Sequence, residues 1–501
     1  MEEFQFYTLS LTILALFYAW CFIRSVKSGG RETSPPSPPT LPVIGNLHQL
    51  GRLAHRSLWD LSRKHGPLML LHFGQKPALV VSSAKVAKEV LKTHDLTFAD
   101  KIAMSDAKKI FYDLSDIFNL PYGDTWRKLR SIVVHELLSS SRVMSFSSIR
   151  DEEIALFIEN IQECCSFDSS TPVNLTNMFA ALSNDLISRA AFGKKHGEEE
   201  HGKKFLEVLE ESVGLLGNLS VAEFIPWLAW IDRLNGRHAA LDRIAEKMDE
   251  ILDAIIEDHL RSSYTSNKEN FMDILLGIYK GDTPGVSIDL ISLKSVILDI
   301  FAAGTETTAT TLVWLMTELL RQSRVMKKLQ DEVRGIMKGK HHISDDELQK
   351  MHYLKAVIKE TLRLHPAVTI FIHVAREYVN LMGYEIAPET LAVVNVWALG
   401  RDPACWDEPE KFVPERFLNS SLNFKGFDFE LIPFGAGRRI CPGIGFAAIS
   451  LEHTVANLML RFDWALPDGA KGEDLDITER PGITIRKKNP LLVVATVNPS
   501  A

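Results

Sequence analysis

Pro433-Phe434-Gly435-Ala436-Gly437-Arg438-Arg439-Ile440-Cys441-Pro442-Gly443 sets one cysteine among glycines, behind two arginines, directly ahead of an apolar helical run over residues 444–460. Glycine opens positive φ to the backbone and lets it approach a flat ligand closely. A helix that starts just after Cys441 aims amide dipoles at the sulfur and favours the thiolate. Arg439, two residues earlier, is placed to pair with a carboxylate on a bound ligand. The plainer alternative is a small buried cysteine at a turn, the commoner fate of a single cysteine. Gly435-Ala436-Gly437 also begins like a dinucleotide loop. Ile440 stands where G-x-G-x-x-G needs its third glycine, so that reading fails.

The rest of the chain gives this loop an ordinary globular setting. Of 501 residues, 46% are apolar and 24% charged, which excludes a largely disordered chain, a collagen-like fibre and a polytopic membrane protein. Lys and Arg total 56 against 64 Asp and Glu, a net charge of −8 that argues against a broad nucleic-acid-binding surface. The cysteines are Cys21, Cys164, Cys165, Cys405 and Cys441, odd in number, scattered and without C-x-x-C. That is neither a disulfide framework nor a zinc ribbon, and it fits a reducing compartment. H-E-x-x-H, G-x-x-x-x-G-K-[ST] and G-x-S-x-G are all missing from the sequence.

Residues 4–23, FQFYTLSLTILALFYAWCFI, pass without a charge, enough helix to span ~30 Å of hydrocarbon. Arg24, Lys27 and Arg31 follow, which puts the C-terminal side in the cytosol. Glu2 and Glu3 precede, so the basic start of a cleaved signal peptide is lacking. No later segment reads as a second span. Residues 35–42, PPSPPTLP, form either a disordered linker or a stiff strap. The division is then a membrane anchor (1–26), a basic, proline-rich hinge (27–45) and one body (46–501). Asn174, Asn218 and Asn419 head glycosylation sequons that a cytosolic body leaves unmodified.

Within the body the pattern is mostly helical. Two strand-like runs, 68–73 and 78–82, flank a hairpin turn over 74–77. Helical spacing covers 84–93, 126–138, 151–164, 175–192, 239–262, 289–322, 325–337, 345–350 and 354–364. Three further segments stand out. Ala303-Gly304-Thr305-Glu306-Thr307-Thr308 lies inside the long run; Gly304 costs ~1 kcal/mol there relative to alanine, and serves either close helix packing or a local opening of the hydrogen-bond ladder. Glu360-Thr361-Leu362-Arg363 puts opposite charges at i and i+3, by itself an ordinary surface pair. Trp126-Arg127-Lys128-Leu129-Arg130 is by itself a basic amphipathic helix.

Phe434, Gly437, Arg439, Cys441 and Gly443 match F-x-x-G-x-R-x-C-x-G, and the chain resembles the cytochromes P450, in style the plant microsomal A-type members. The other segments fall in that family's order from end to end. The resemblance implies a mainly α fold with small β-sheets, the cytochrome P450 fold, behind one N-terminal transmembrane helix. It implies haem b with Cys441 as axial thiolate, which favours O–O cleavage. Arg439 is implied to bind a haem propionate, helped by Trp126, Arg130 and Arg376. Thr307 would sit beside dioxygen, with Glu306 feeding protons. Glu360, Arg363 and Arg416, the last from Pro414-Glu415-Arg416-Phe417, would clamp the fold beneath the loop.

Ala375-Arg376-Glu377 replaces the family's P-R-E, and the stretch to Gly383-Tyr384 is short. Lacking a flavin or nicotinamide fingerprint, the chain would take electrons from the membrane-bound NADPH–cytochrome P450 reductase, docked on Arg127, Lys128 and Arg438. By matching segments, substrate would touch residues 102–120, 215–230, 299–303, 368–371 and 481–484, with Ile110, Phe111, Ala303, Val368, Ile370, Phe371 and Ile483 as apolar candidates; core packing is the alternative for each. The expected activity is oxidation of a lipophilic terpenoid, alkaloid or phenolic at the endoplasmic reticulum. The alternatives are a P450-type isomerase or dehydratase, which intact Glu306-Thr307 disfavours, and a catalytically silent haem-binding protein.

Overall fold

The computed structural model describes Thr12 and residues 34–498, except 168–171, 196–199, 218–219, 262–268, 283–286 and 341. The anchor expected over residues 1–26 lies outside them, Thr12 apart. Among the described residues the longer helices are α1 (Ala54–His65), α2 (Asp124–Ile132), α3 (Ser147–Phe167), α4 (Leu175–Phe192), α5 (Glu200–Leu216), α6 (Arg237–Arg261), α7 (Phe271–Lys280), α8 (Leu290–Arg321), α9 (Ser323–Ile336), α10 (His352–Leu364) and α11 (Ile444–Arg461). The strands are β1 (Leu68–Phe73), β2 (Lys76–Val81), β3 (Val173–Asn174), β4 (Ile370–Val374), β5 (Val379–Leu381), β6 (Tyr384–Ile386), β7 (Leu391–Asn395), β8 (Phe462–Ala465), β9 (Glu479–Arg480), β10 (Arg486–Lys487) and β11 (Leu492–Val497).

The expected helices form, with two corrections. The runs read as uninterrupted over 84–93 and 126–138 each end in a π-helical turn, Glu89–Thr93 and Val133–Leu137. Such turns re-aim a helix end, and apolar spacing does not encode them. Apolar spacing does not announce α5, because Gly202 and Gly214 interrupt a charged stretch.

Beta structure is not confined to the start of the body. The largest sheet runs β1-β2-β7-β4, so half its strands come from the last third of the chain. β1 and β2 pair antiparallel about a turn of only Gly74 and Gln75, since Lys76 already faces Phe73 across the ladder. β2 then pairs parallel with β7, Ala78 opposite Leu391, and β4 closes the sheet antiparallel to β7. β4 and β7 are five-residue runs, too short for periodicity to separate strand from helix. Pro36 O accepts from Leu70 N at 2.9 Å along the outer edge of β1, and Pro35 and Pro38 are buried. The proline segment is therefore a strap that covers a sheet edge.

Helix α8 is the axis of the body. It is long and apolar enough to cross a membrane (mean hydropathy 1.2), yet 61% of its apolar window is buried inside the protein, as for a core helix. It packs most extensively on α4. A Cβ on Gly304 would stand 2.6 Å from Ile187 Cδ1, so glycine eases the close approach of α4, and an alanine would have to push the Ile187 side chain aside. The helix is continuous from Leu290 to Arg321, and of the two readings of Gly304 this geometry supports packing. One apolar cluster joins α3, α4 and α8 to α11, through Phe179, Leu315, Leu329, Val357 and Val455. A second joins α2, α4 and α5 to α8, through Leu129, Phe192, Phe205, Met248 and Phe301.

Candidate active site

Along α8, residues 293–298, Phe301 and residues 308–320 are buried, but the turn around Ala303 is not: Ala302 and Gly304 to Thr307 are half-buried and Ala303 is exposed. In the middle of a core helix, that pattern marks an internal space. Cys441, Ile444, Phe446 and Ala447 are likewise only half-buried although α11 packs on α8. These two half-buried stretches, the Ala303–Thr307 turns and the cysteine loop, belong to or adjoin α8 and α11, which share one core cluster.

The loop is a folded hook. Cys441 N donates to Phe434 O at 2.9 Å, closing it on itself. Gly437 has φ +67°, and a Cβ there would meet Leu91 O at 2.4 Å, so the loop seats against the Glu89–Thr93 turn only through glycine. Phe371 Cε2 lies 3.7 Å from the Cβ position of Gly435, which joins β4 to the hook. Helix α11 begins at Ile444, right after Gly443. Its start was expected to favour the Cys441 thiolate. Burial instead pushes the thiol up, while the Gly443 amide and Arg130 pull it down. The dipole is present and desolvation outweighs it; a metal ion would supply the missing positive charge.

Cations gather at one edge of the space. Arg439 donates from Nε to Ala99 O (2.7 Å), from Nη1 to Ile117 O (3.1 Å) and from Nη2 to Leu120 O (2.6 Å), and it lies 4.3 Å over the Trp126 ring. Burial pushes it down to about 10, with Arg130 and Arg376 adding repulsion. Arg130 donates to Ile440 O, and Trp126 Nε1 to Ile117 O at 3.0 Å. Arg376 meets Asp100 Oδ2 at 3.3 Å. Lys101, absent from the sequence reading, donates to Ile372 O at 3.1 Å; burial, then Arg439, lower it to about 7. Several positive groups resting mainly on neutral carbonyls fit a bound dianion. A haem with its two carboxylates suits this donor set, and the half-buried Cys441 sulfur suits the iron.

The Glu360–Arg363 pair has no exposed side-chain surface, so it is not the surface ion pair that spacing alone suggested. Arg363 Nε meets Glu360 Oε2 at 2.7 Å and Arg416 Nε meets Glu360 Oε1 at 3.1 Å. Remaining donors of Arg363 reach Gly400 O, Pro409 O and Lys411 O.

On α8, Thr307 Oγ1 donates back to Ala303 O at 2.6 Å, and Ser183 Oγ donates to Gly304 O at 3.1 Å. Glu306 Oε1 accepts from Thr484 Oγ1 and from Arg486 Nε. Asp299 Oδ2 accepts from Ile117 N at 2.7 Å. Burial, then neighbouring Asp116, hold the Asp299 carboxyl well up. Neither aspartate nor Arg486 belongs to a motif, and their chain positions carry no signal of the contact.

The apolar candidates divide. Phe111, Val368, Ile370 and Phe371 are half-buried and Ala303 is exposed to the space. Ile110 is buried (3%) in the second core cluster, so its side chain is taken up by packing. Ile483 is 46% exposed at the tip of the β9–β10 hairpin. Trp227 and Trp230, in the 215–230 segment, are exposed by 58% and 55%, and make a surface rather than a pocket wall.

The Cytochrome P450 family profile matches residues 35–494. A Prunus mume protein, "Cytochrome P450 736A117", is 49% identical over 98% of this chain and 95% of its own length. "Cytochrome P450 71A8" of Mentha piperita is 48% identical over 97% of this chain and 94% of itself. "Tabersonine/lochnericine 19-hydroxylase" of Catharanthus roseus is 47% identical over 97% of each. Among solved structures, a zebra fish cytochrome P450 with progesterone matches with TM-score 0.75 and 25% identity, over 89% of this chain and 99% of that one. The chain belongs to the cytochrome P450 family, on the plant A-type side. It is therefore a monooxygenase whose cofactor is haem b with an axial cysteine, working with dioxygen, a substrate and a redox partner.

Proposed function

We propose that Cys441 is the axial thiolate and that residues 46–501 form a cytosolic catalytic body. Residues 1–26 anchor it in the endoplasmic reticulum membrane and residues 27–45 are the hinge. The body oxidises a lipophilic small molecule of plant specialised metabolism. The observation that carries this reading is the hooked cysteine loop facing the half-buried turns of α8, with a cation cluster at the edge. The bound haem supplies dioxygen activation and oxidation of a substrate C–H bond.

The protein's own residues do the rest. Cys441 holds the iron, and Phe434, Gly437 and Gly443 shape the turn that presents its sulfur. Arg130, Arg376 and Arg439, with Trp126, hold the two carboxylates. Thr307 carries a proton on Oγ1 and turns it from Ala303 O towards the space; Glu306 passes protons inward from solvent. Ala303, Phe111, Val368, Ile370, Phe371 and Ile483 orient the substrate and exclude water. The relatives "Norfluorocurarine oxidase" of Strychnos sp, 47% identical over 98% of each chain, and "Tabersonine/lochnericine 19-hydroxylase" favour an alkaloid among the terpenoid, alkaloid and phenolic classes.

Electrons come from NADPH–cytochrome P450 reductase. Arg127 and Arg438 expose 58% and 46% of their side chains, and Lys128 is exposed too, so they form the docking face. Reversing their charge slows reduction and leaves the haem spectrum unchanged. The deciding experiment expresses the anchored chain with the reductase and screens plant metabolites. An oxidised product that needs NADPH, together with the reduced carbon monoxide spectrum of thiolate ligation, supports the reading; a colourless protein ends it.

A further inference from the structure

The β9–β10 hairpin is held from three sides. At its base, Glu479 Oε2 accepts from Arg56 Nε at 2.7 Å and lies 3.1 Å from His55 Nε2. On its return strand, Ile485 N donates to Ala367 O and Ile485 O accepts from Trp314 Nε1, both at 2.9 Å. At the tip, Thr484 and Arg486 both bind one oxygen, Glu306 Oε1. Arg486 stands opposite Arg480 in the ladder, so its backbone is fixed while its side chain reaches α8. The tip also touches α5's end: the Cβ position of Gly217 lies 3.5 Å from Gly482 Cα and 3.6 Å from Ile483 N.

We infer that Arg486, assisted by Thr484, positions the Glu306 carboxylate, so that the hairpin tip bearing Ile483 sets proton delivery on α8 as well as the pocket wall. This rests on the reading of Glu306 as a proton carrier. The physical reason is geometric. A glutamate side chain has three rotatable torsions and wanders unless both charge and direction are answered. Here a guanidinium answers the charge and a hydroxyl from the same hairpin answers the direction. Both donors meet the same oxygen, Oε1, so the hairpin fixes one end of the carboxylate. Any ligand that leans on Ile483 shifts Thr484, and with it the grip on Glu306.

The test uses holoenzyme with reductase, NADPH and dioxygen alone, in wild type, Glu306→Gln, Arg486→Gln, Arg486→Lys and the double Glu306→Gln/Arg486→Gln. The reduced carbon monoxide spectrum first verifies thiolate ligation in each. Amide hydrogen exchange of peptides spanning 481–487 then reads the contact. It rises about fivefold in Arg486→Gln and in Glu306→Gln alike, and returns to wild type in Arg486→Lys. Hydrogen peroxide formed per NADPH oxidised reads proton delivery, since NADPH, a proton and dioxygen yield NADP⁺ and peroxide whenever delivery for O–O cleavage fails. It rises about threefold in Glu306→Gln and in Arg486→Gln, no further in the double variant, and Arg486→Lys restores it. Unchanged exchange in Glu306→Gln, or effects that multiply in the double, overturn the inference and leave the proton-carrier reading standing. Unchanged peroxide yield in Glu306→Gln overturns that reading, and the inference with it.

Discussion

Glu360 and Arg363 expose no side-chain surface, whereas Ile483, at the tip of the hairpin, exposes 46% of its own. The ion-pair cluster of Glu360, Arg363 and Arg416 draws on one turn of α10 and the Pro414–Phe417 segment, and its charges are answered by each other and by backbone carbonyls. The residues proposed for the pocket wall come from four separate segments, through Phe111, Ala303, Val368 to Phe371, and Ile483. The difference is one of tolerance: in the ion-pair cluster a change leaves a charge buried and unpaired, whereas at the proposed pocket wall a change alters contact area.

That contrast is open to attack at several points. Cys441→Ser removes the thiolate altogether, and both the Soret signature and turnover are expected to vanish. Glu360→Ala strands Arg363 and Arg416, at a cost of about 3–5 kcal/mol, read as a loss of haem retention and a lower unfolding temperature. A thermal midpoint equal to wild type would erase the distinction drawn above. Thr307→Val keeps shape and fold and is expected to cut product formation about 100-fold while NADPH oxidation and the carbon monoxide spectrum persist. Val368→Phe, at the proposed pocket wall, is expected to change product ratios by about 1–3 kcal/mol in relative barrier, seen as altered regiochemistry with unchanged haem content.

The smallest effect is one of pH. Burial alone would raise the Glu479 carboxyl, but hydrogen bonds from His55 and Arg56 hold it at about 2 against an ordinary 4.5. A depressed folded value stabilises fully above pH 4.5 and is lost as pH falls towards about 2. Glu479→Gln is therefore expected to flatten the acid limb of the stability curve in that window and to leave neutral turnover nearly intact.

Legibility in the sequence follows the same divide. Phe434, Gly437, Arg439, Cys441 and Gly443 fall within ten residues and could be read at once. The 32-residue α8 declared itself by length and periodicity, and α4 was read to its ends. Arg486 on Glu306, Asp299 on Ile117 and Lys101 beside Arg439 were out of reach, because each joins residues whose separation only the folded chain closes. Desolvation of Cys441 was equally invisible: a helix start is written in local sequence, but the burial that outweighs it is a property of the whole packed body.

The parallel pairing of β2 with β7 has an implication for biosynthesis. Ala78 to Val81 emerge from the ribosome about three hundred residues before Leu391 to Val394, their ladder partners. At about 5–20 residues per second the wait is about 15–60 s, during which a fully apolar strand edge is open to other nascent chains. Translation pauses and chaperone supply during that interval, rather than thermodynamic stability of the finished enzyme, should then limit its yield in a heterologous host.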